Sequence, residues 1–241
     1  MRIHHSKYQD LDWPSFGAID AMITDPPYSK RTETGATADR YDAATACAVD
    51  YGSISGRDAR ELADTFAPLV SSWVVIFADH IAWDWHRSAW EACGWYTFAP
   101  IPFIKTNGSP RFAADGPASV TEWILIARPR KRPRVMKSRR GWYQCAAANH
   151  EKGRRTAGHK PALLLQQIVA DYSEPGDLIV DPFAGTATVG AAAIAGGRRY
   201  IGCEVDAQAH ALARERLERI EPHIPGLFAG EQGEIMTGDQ R

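Results

Sequence analysis

Short apolar runs alternate along this chain with longer segments whose apolar residues recur at helical spacing. The apolar runs predict strands at 1–5, 73–78, 178–180 and 199–203, and one that contains Ala21–Ile23 and ends at Asp25. The helical spacing predicts helices at 57–69, 81–93, 161–173 and 207–219, the last with Asp206 as its N-cap. Strands that alternate with helices in this way predict an α/β fold with a parallel sheet.

Two further β-runs, at 95–104 and 120–127, interrupt this alternation. We predict that they pair as an antiparallel hairpin around the loop 105–119. Residues 29–56 show no period, and we expect a long loop there beside the strand that ends at Asp25. The predicted fold is therefore a doubly wound, mostly parallel sheet with one antiparallel strand.

The composition is that of a globular protein, with 44% hydrophobic and 24% charged residues among 241. An N-terminal signal pattern and an apolar run near membrane-spanning length are both missing, so we expect a cytoplasmic protein with no membrane partner. Cys145, His150 and His159 do not have metal-ligand spacing, and we expect no metal site.

Positive charge is concentrated in one part of the chain. Residues 128–160 hold twelve Lys or Arg and one acid, Glu151, although the whole chain has a net charge of −1. A basic block in a protein that is otherwise acidic favours a polyanionic partner, and Trp142 and Tyr143 lie within it. A solvated charged face is the alternative.

The tetrapeptide Asp25-Pro26-Pro27-Tyr28 follows the strand 21–23 and predicts a turn at a strand end. Such a turn presents a carboxylate, a proline carbonyl and an aromatic face to one small planar group. This arrangement suits the exocyclic amine of a base, because two acceptors hold its N–H groups while the ring is stacked upon. A plain strand-ending turn is the alternative.

A cofactor-binding βα unit is predicted at 176–190. The apolar run 178–180 reaches Asp181, and a small-residue loop then leads into a helix of small residues at 190–195. The next strand, 199–203, ends at Glu204, about 20 residues beyond the loop, where an acidic residue accepts hydrogen bonds from ribose hydroxyls.

With these motifs the chain resembles the amino-methyltransferases of DNA, which use S-adenosylmethionine to methylate adenine N6 or cytosine N4. Asp25–Tyr28 match their catalytic Asp-Pro-Pro-Tyr, and Asp181–Gly185 match their Asp-Pro-Phe-x-Gly cofactor loop. The catalytic motif comes first, which resembles the permuted β-type order. The resemblance implies a Rossmann-like methyltransferase fold with the first strand beside the cofactor strands.

The resemblance also implies residue roles. The catalytic residues are Asp25, Pro26, Pro27 and Tyr28. The residues assigned to S-adenosylmethionine are Ser6, Asp25, His159, Lys160, Asp181, Phe183, Ala184, Gly185, Thr186, Glu204 and Val205. The basic block lies where this family reads its target, and the residues assigned to DNA are Arg130, Lys131, Arg132, Arg134, Lys137, Arg139 and Arg140.

The chain departs from the family pattern at three places. Ala187 replaces a glycine of the cofactor loop, His5-Ser6 stands where Gly-Asp is usual, and the segment before the cofactor strand is reduced to Gly158–Pro161. These changes bear on cofactor affinity more than on the chemistry. We divide the chain into a catalytic half (1–127), a basic DNA-recognition insertion (128–157), a cofactor-binding half (158–220) and a flexible tail (221–241).

The favoured function is a double-stranded DNA methyltransferase acting on adenine N6, in a prokaryote or a phage. Cytosine N4 methylation, RNA or protein amide methylation, and a catalytically inactive DNA-binding regulator stay open. A homodimer and a cognate restriction enzyme stay open as partners.

Overall fold

The structure is a computed structural model that describes residues 2–30, 52–107, 118, 120–131, 138–146 and 160–220. Its strands are β1 Arg2–His5, β2 Ile19–Thr24, β3 Val70–Ala78, β4 Trp95–Thr97, β5 Ile101–Lys105, β6 Thr121–Pro129, β7 Tyr143–Cys145, β8 Leu178–Asp181 and β9 Arg199–Glu204. Its helices are α1 Gly56–Phe66, α2 His80–Ala92, α3 Ala162–Tyr172, α4 Thr188–Ala195 and α5 Ala207–Glu218, with 3₁₀ turns at Tyr8–Asp10 and Trp13–Phe16. Within these ranges no helix is long and apolar enough to span a membrane.

All of these strands join one sheet in the order β1-β9-β8-β2-β3-β6-β5-β7, with β4 also paired to β6. From β1 to β3 in this order, each pair of adjacent strands is parallel. β6 runs antiparallel to β3, β4 and β5, whereas β5 and β7 are parallel. Among the described strands β6 alone is reversed, and the predicted sheet with one antiparallel strand is confirmed.

Helices cover both faces of the sheet, because the strands alternate apolar side chains to either side. Val75 and Phe77 of β3 face a core closed by α3, α4 and α5, through residues such as Ile168. Val74 and Ile76 of the same strand face a second core closed by α1, α2 and the 3₁₀ turns. The fold is therefore doubly wound, as predicted.

Capping residues fix where the helices begin. Ser55 and Asp58 form a capping box at the start of α1, and the Asp79 carboxylate accepts from the amides of Ile81 and Ala82 at the start of α2. Asp206 caps α5 through the amide of Ala209 at 2.7 Å, which confirms the predicted N-cap.

The region around β6 differs in detail from the prediction. The predicted run 95–104 is two strands, β4 and β5, and both pair with β6; the antiparallel pairing of β5 with β6 is confirmed. β7 was not predicted, since three residues are too few for a periodic pattern. It lies within the segment 128–157 and pairs with β5, so this segment contributes a strand to the sheet.

Several predictions fall on residues outside the described ranges. They concern the loop 31–51, most of the loop 105–119, Arg132, Arg134, Lys137, His159 and the tail 221–241.

The parallel strands β1, β2, β8 and β9 all end at one edge of the sheet, which we call the Asp25 edge. Residues at this edge come from both halves of the chain, because β2 and β8 are direct neighbours. Open α/β sheets bind ligands at the carboxyl ends of such strands.

Candidate functional site

Asp25 follows the last residue of β2 and lies at the centre of the Asp25 edge. Its Oδ2 accepts a hydrogen bond from the Lys160 ammonium at 2.5 Å. Its Oδ1 is buried and has no hydrogen-bond partner. Burial raises the pKa of Asp25, and the Lys160 ammonium opposes that rise. The turn thus presents one carboxylate oxygen that is fixed and one that can accept a donor from a ligand.

Lys160 lies between two carboxylates just before α3. Its Nζ is 2.5 Å from Asp25 Oδ2 and 3.3 Å from Glu122 Oε2 of β6, and Lys105 of β5 forms an ion pair with the other Glu122 oxygen. Burial alone would lower the pKa of Lys160, but the two carboxylates raise it above its usual value. Burial alone would raise the pKa of Glu122, but the two lysines lower it to about 2.

Tyr28 closes the turn and is held by the same cluster. Its hydroxyl donates to Glu122 Oε2 at 2.8 Å, and the Lys160 ammonium lies 5.1 Å from the ring centroid. Burial, followed by the Asp25 and Glu122 carboxylates, raises the pKa of Tyr28 well above its usual value, so the phenol stays a donor.

Ser29 fixes the far end of the turn. Its amide and its hydroxyl both donate to Asp79 Oδ2, at 2.8 and 2.6 Å, and the other Asp79 oxygen caps α2. The turn is therefore tied to the start of a helix on the opposite side from Lys160.

Asp181 ends β8 directly beside the end of β2. Its Oδ1 accepts from the Thr24 hydroxyl at 2.7 Å and from the Phe183 amide at 3.2 Å. The Tyr200 hydroxyl donates to Oδ2 at 3.4 Å. Burial raises the pKa of Asp181 to about 7, against the effect of these hydrogen bonds.

Glu204 ends β9 and accepts a hydrogen bond from the predicted cofactor loop Asp181–Gly185. Its two carboxylate oxygens accept from the amides of Gly185 and Asp206, each at 2.8 Å. Burial raises the pKa of Glu204, and these amides oppose the rise. The Ser6 amide donates to the Glu204 carbonyl at 3.0 Å, while the Ser6 hydroxyl oxygen is buried without a partner.

Hydrogen bonds from α5 also fix the end of this loop. Arg216 of α5 donates to the Thr186 carbonyl and to the hydroxyls of Thr186 and Thr188, at 2.8 to 2.9 Å. Ala187 has φ +56° and ψ +44°, a left-handed conformation that strains a residue with a Cβ. The glycine that the family has here is thus the residue that this backbone favours.

Tyr200 lies under the loop in space left by two glycines. A Cβ at Gly190 would come within 2.6 Å of the Tyr200 ring, and one at Gly202 within 2.3 Å of its hydroxyl. These glycines therefore allow the phenol to reach Asp181.

The other residues predicted to contact the cofactor have different surroundings. Phe183 packs its ring 5.4 Å from that of Tyr8, and the Ala184 amide donates to the Cys203 carbonyl at 2.9 Å. Val205 is half exposed, and its carbonyl lies 3.0 Å from His5 Nε2. Lys160 contacts Asp25 and Glu122, as described above. His159 lies outside the described residues.

Two residues of the basic block, Arg130 and Lys131, lie away from this site. Glu122 is near the start of β6, and Arg130 and Lys131 follow its end, about 25 Å away at roughly 3.3 Å per residue. Both are exposed at the edge of the sheet opposite to Asp25, because β6 is reversed. The position of Arg130 and Lys131 therefore separates them from the catalytic turn.

Arg139 and Arg140 have structural contacts near the end of α3. Arg139 donates to the Asp171 carbonyl at 2.6 Å and stacks 4.2 Å from the Trp73 ring. Arg140 donates to the Asp171 carboxylate at 2.7 Å, as does the buried Tyr143 at 2.8 Å. These contacts support β7 against α3, and DNA binding by the two arginines stays a prediction.

Sequence reasoning missed Glu122, Thr24, Asp79, Tyr200 and Arg216. A usable signal existed for Glu122, since it is an acid beside the otherwise apolar run 123–127. The contacts of the others depend on pairings between distant segments, which a single sequence does not reveal.

Comparison with known proteins identifies relatives of this chain. Residues 19–215 match the N6/N4 methylase family, described as DNA methylase. The chain is 27% identical over 212 residues to the putative methylase YubD of Escherichia coli K12, covering 85% of this chain and 84% of YubD. It is 46% identical over 59 residues to the DNA adenine methyltransferase YhdJ of the same organism, covering 24% of this chain and 20% of YhdJ.

A solved structure shares the fold. The crystal structure of M1.HpyAVI in complex with S-adenosylmethionine superposes with a TM-score of 0.67 at 24% identity, covering 90% of this chain and 98% of that one.

Proposed function

This chain belongs to the N6/N4 family of DNA methylases, and from that premise we propose that it methylates adenine N6 in duplex DNA with S-adenosylmethionine as the donor. The family match defines a DNA methyltransferase. YhdJ, which the chain matches over a short segment, is by name a DNA adenine methyltransferase and supports adenine as the base.

One observation carries the proposal. Asp25 Oδ1 is a buried acceptor without a hydrogen-bond partner, at the end of the strand beside the cofactor strand. A buried acceptor that is left unpaired costs about 1–3 kcal/mol, so it favours a ligand that brings a donor. An exocyclic amine brings two such N–H groups.

The residues at the Asp25 edge fit S-adenosylmethionine. The Ser6 hydroxyl is buried without a partner beside Glu204 and suits the polar edge of an adenine ring. Glu204 already accepts two amide hydrogens, but a carboxylate has about four lone-pair sites and retains capacity for ribose hydroxyls. At Gly185 an added Cβ would meet nothing within 4 Å, so the loop backbone faces open space.

S-adenosylmethionine supplies an electrophilic methyl group on a sulfonium. The exocyclic amine is a weak nucleophile because its lone pair is delocalised into the ring. Asp25 Oδ1 and the Pro26 carbonyl accept its two N–H bonds and favour the pyramidal geometry that frees the lone pair. Tyr28 stacks on the base, and its bond to Glu122 fixes the ring. Alignment of the reacting atoms is the main contribution of these residues.

Methyl transfer requires the base to leave the duplex, at a cost of a few kcal/mol for unstacking and unpairing. The extruded base enters at the Asp25 edge, between the turn and the cofactor loop. After transfer the amine nitrogen carries a positive charge and is acidic, so it loses its extra proton without a strong base. Asp25 therefore acts as an acceptor that orients the amine.

The test is methyl transfer by the purified chain from labelled S-adenosylmethionine to unmethylated DNA, followed by digestion and mass analysis of the nucleosides. We expect N6-methyladenine. Asp25→Ala is expected to abolish transfer while it leaves S-adenosylmethionine affinity, measured by calorimetry, within a few-fold. Asp10→Ala, an exposed acid in the first 3₁₀ turn, is the matched control for loss of a carboxylate.

Other products distinguish the alternatives. N4-methylcytosine would assign the chain to the other amine, and binding of DNA and cofactor without transfer would support an inactive regulator. Retained turnover in Asp25→Ala would contradict the role of Asp25. A homodimer and a cognate restriction enzyme stay predictions; sedimentation of the protein with and without DNA tests the first.

A further inference from the structure

The ammonium of Lys160 is enclosed on four sides at the Asp25 edge. Two carboxylates contact it, Asp25 at 2.5 Å and Glu122 at 3.3 Å. Two aromatic faces complete the enclosure, with the ring centroids of Tyr28 and Phe77 at 5.1 and 5.0 Å. An ammonium between aromatic faces and carboxylates is strongly fixed, because cation–π attraction and ion pairing act together where solvent is excluded.

This position determines which oxygen of Asp25 is available. The ammonium occupies Oδ2, and Oδ1 stays without a partner. Since the two oxygens belong to one planar carboxylate, fixing Oδ2 also fixes the direction in which Oδ1 accepts. Lys160 therefore controls the orientation of the group that receives the target amine.

Glu122 joins the acceptor to the stacking ring. One of its oxygens, Oε2, accepts from the Tyr28 hydroxyl at 2.8 Å and also contacts Lys160. Lys105 holds the other oxygen. A displacement of Glu122 would thus move both the ring that stacks on the base and the ammonium that orients Asp25.

Resting on the proposed function, we propose that Lys160 is a positioning residue for methyl transfer, whose ammonium holds Oδ2 of Asp25 so that Oδ1 receives the amine, and that Glu122 anchors it. This role toward the base is additional to the predicted contact of Lys160 with the cofactor, which stays a prediction. Lys160 acts through Asp25 and does not touch the reacting atoms.

The charge of Asp25 gives this role a pH signature. The charged and titratable groups that face Asp25 come from the segment before α3, from β5, β6 and β8, and from its own turn, and they are Lys160, Lys105, Glu122, Asp181 and Tyr28. Burial raises the pKa of Asp25 and the nearby Glu122 adds to the rise, while Lys160 is the largest opposing influence. Removal of the ammonium would therefore leave Asp25 protonated to a higher pH.

The experiment measures single-turnover methyl transfer at saturating DNA and cofactor from pH 6 to 9.5. In Lys160→Met we expect a loss on the order of 10- to 100-fold at pH 7, the size of effect that misplaced catalytic geometry produces. We also expect the remaining rate to rise with pH as Asp25 ionises. Lys105→Met is the comparator, because Lys105 contacts Glu122 and not Asp25; its loss is expected to be smaller.

A second readout does not need activity. Lys160→Met leaves a buried carboxylate without its counter-ion, and Asp25→Asn removes that carboxylate. If Lys160 acts through the charge of Asp25, adding Asp25→Asn to Lys160→Met will raise the thermal unfolding midpoint at pH 8. The same change in the wild-type background will not raise it.

The outcomes separate this inference from the proposed function. An active wild type with a Lys160→Met variant of unchanged rate and pH profile would overturn the positioning role, as would a loss that is equal at every pH. If Lys160→Met does not fold, failure of the double variant to fold would also overturn it. An inactive wild type would refute the proposed function, and the unfolding cycle would still decide whether Lys160 and Asp25 are coupled.

Discussion

The hydroxyl of Thr24 donates a hydrogen bond to the carboxylate of Asp181 at 2.7 Å, across the boundary between β2 and β8. The two residues are 157 positions apart; Thr24 directly precedes the motif Asp25–Tyr28, and Asp181 begins the motif Asp181–Gly185. The bond therefore joins the strand of the catalytic turn to the strand of the cofactor loop within the sheet.

Thr24→Val keeps the shape of this fully buried side chain and removes the bond. We expect the free energy of unfolding to fall by about 1–2 kcal/mol, because a hydrogen bond to a buried acceptor is lost. Urea unfolding at pH 7 measures the change. Thr65→Val is the control, since it removes a solvent-exposed hydrogen bond to the Glu61 carbonyl in α1, and it should stay within about 0.5 kcal/mol. Equal effects at both positions would contradict the role of the buried bond.

Asp181→Asn tests the raised pKa of Asp181, about 7 against an ordinary 3.8. A group with a raised pKa in the folded state binds its proton more tightly there, so its contribution to stability is lost as pH rises from about 4 to 7. The loss amounts to at most roughly 4 kcal/mol. Relative to wild type, the variant should gain stability between pH 5 and pH 8, and parallel unfolding curves would refute this.

The pKa of His86 in α2 is shifted in the opposite direction from that of Asp181, so its effect on stability depends on pH in the opposite way. It is fully buried, both ring nitrogens lack a partner, and burial lowers its pKa to about 4. A lowered pKa means that stability falls as pH drops from about 6.5 to 4. His86→Leu should raise the free energy of unfolding by about 1–3 kcal/mol at pH 8 and by more at pH 5.

The control for this change is His80→Leu, at the exposed start of the same helix. It introduces the same side chain without removing a buried polar group, and we expect less than about 0.5 kcal/mol. A gain at His86 that is smaller at pH 5 than at pH 8 would contradict the prediction.

Ala187→Gly should stabilise the protein. The left-handed backbone at φ +56° costs a residue with a Cβ about 1–2 kcal/mol, and glycine loses part of this gain through its greater freedom when unfolded. We expect the unfolding midpoint to rise by about 1–3 °C, measured by calorimetry. Ala191→Gly, one turn further in α4, should lower the unfolding midpoint, because the backbone at Ala191 is helical. A shift of the midpoint in the same direction for both variants would contradict backbone strain at Ala187.

The pair Arg130→Gln and Lys131→Gln tests the basic block. If both side chains contact phosphates, the slope of log affinity against log salt will flatten by up to about 1.8. Methyl transfer at saturating DNA will be unchanged, since both lie about 25 Å from the catalytic turn. The control pair, Arg214→Gln with Arg219→Gln, removes the same charge on and beside α5. An identical change in the salt slope for both pairs would indicate that Arg130 and Lys131 are solvated and do not contact DNA.

Much of the fold follows from the sequence because the relevant patterns are local. The apolar runs before Asp25 and Asp181 each mark a strand end, and parallel strands bring their ends to one edge. Ala187 was recognisable as a departure because the resembled family has a glycine there, whereas its left-handed backbone is known only from the structure. The positions of these motifs could therefore be predicted before their contacts were known.

The rest depends on strand direction and on long-range pairing. The basic residues after β6 seemed close to the site in the sequence, but the reversed strand takes Arg130 to the opposite edge. Glu122, at the other end of β6, reaches the catalytic turn instead. Charge counts along the chain contain no information about direction, so they predict that a basic surface exists but not where it lies.

The pairing of β1 with β9 has a consequence for how the chain folds during synthesis. His5 and Val205 are 200 positions apart, so β1 has no partner in the sheet until β9 has been made. Such contacts close late because they require ordering a long loop. Until then β1 is an unpaired strand and Ser6 has no Glu204 beside it. This part of the sheet is thus completed only after β9 has been synthesised, and nascent chains that end before β9 would expose an unpaired strand to chaperones.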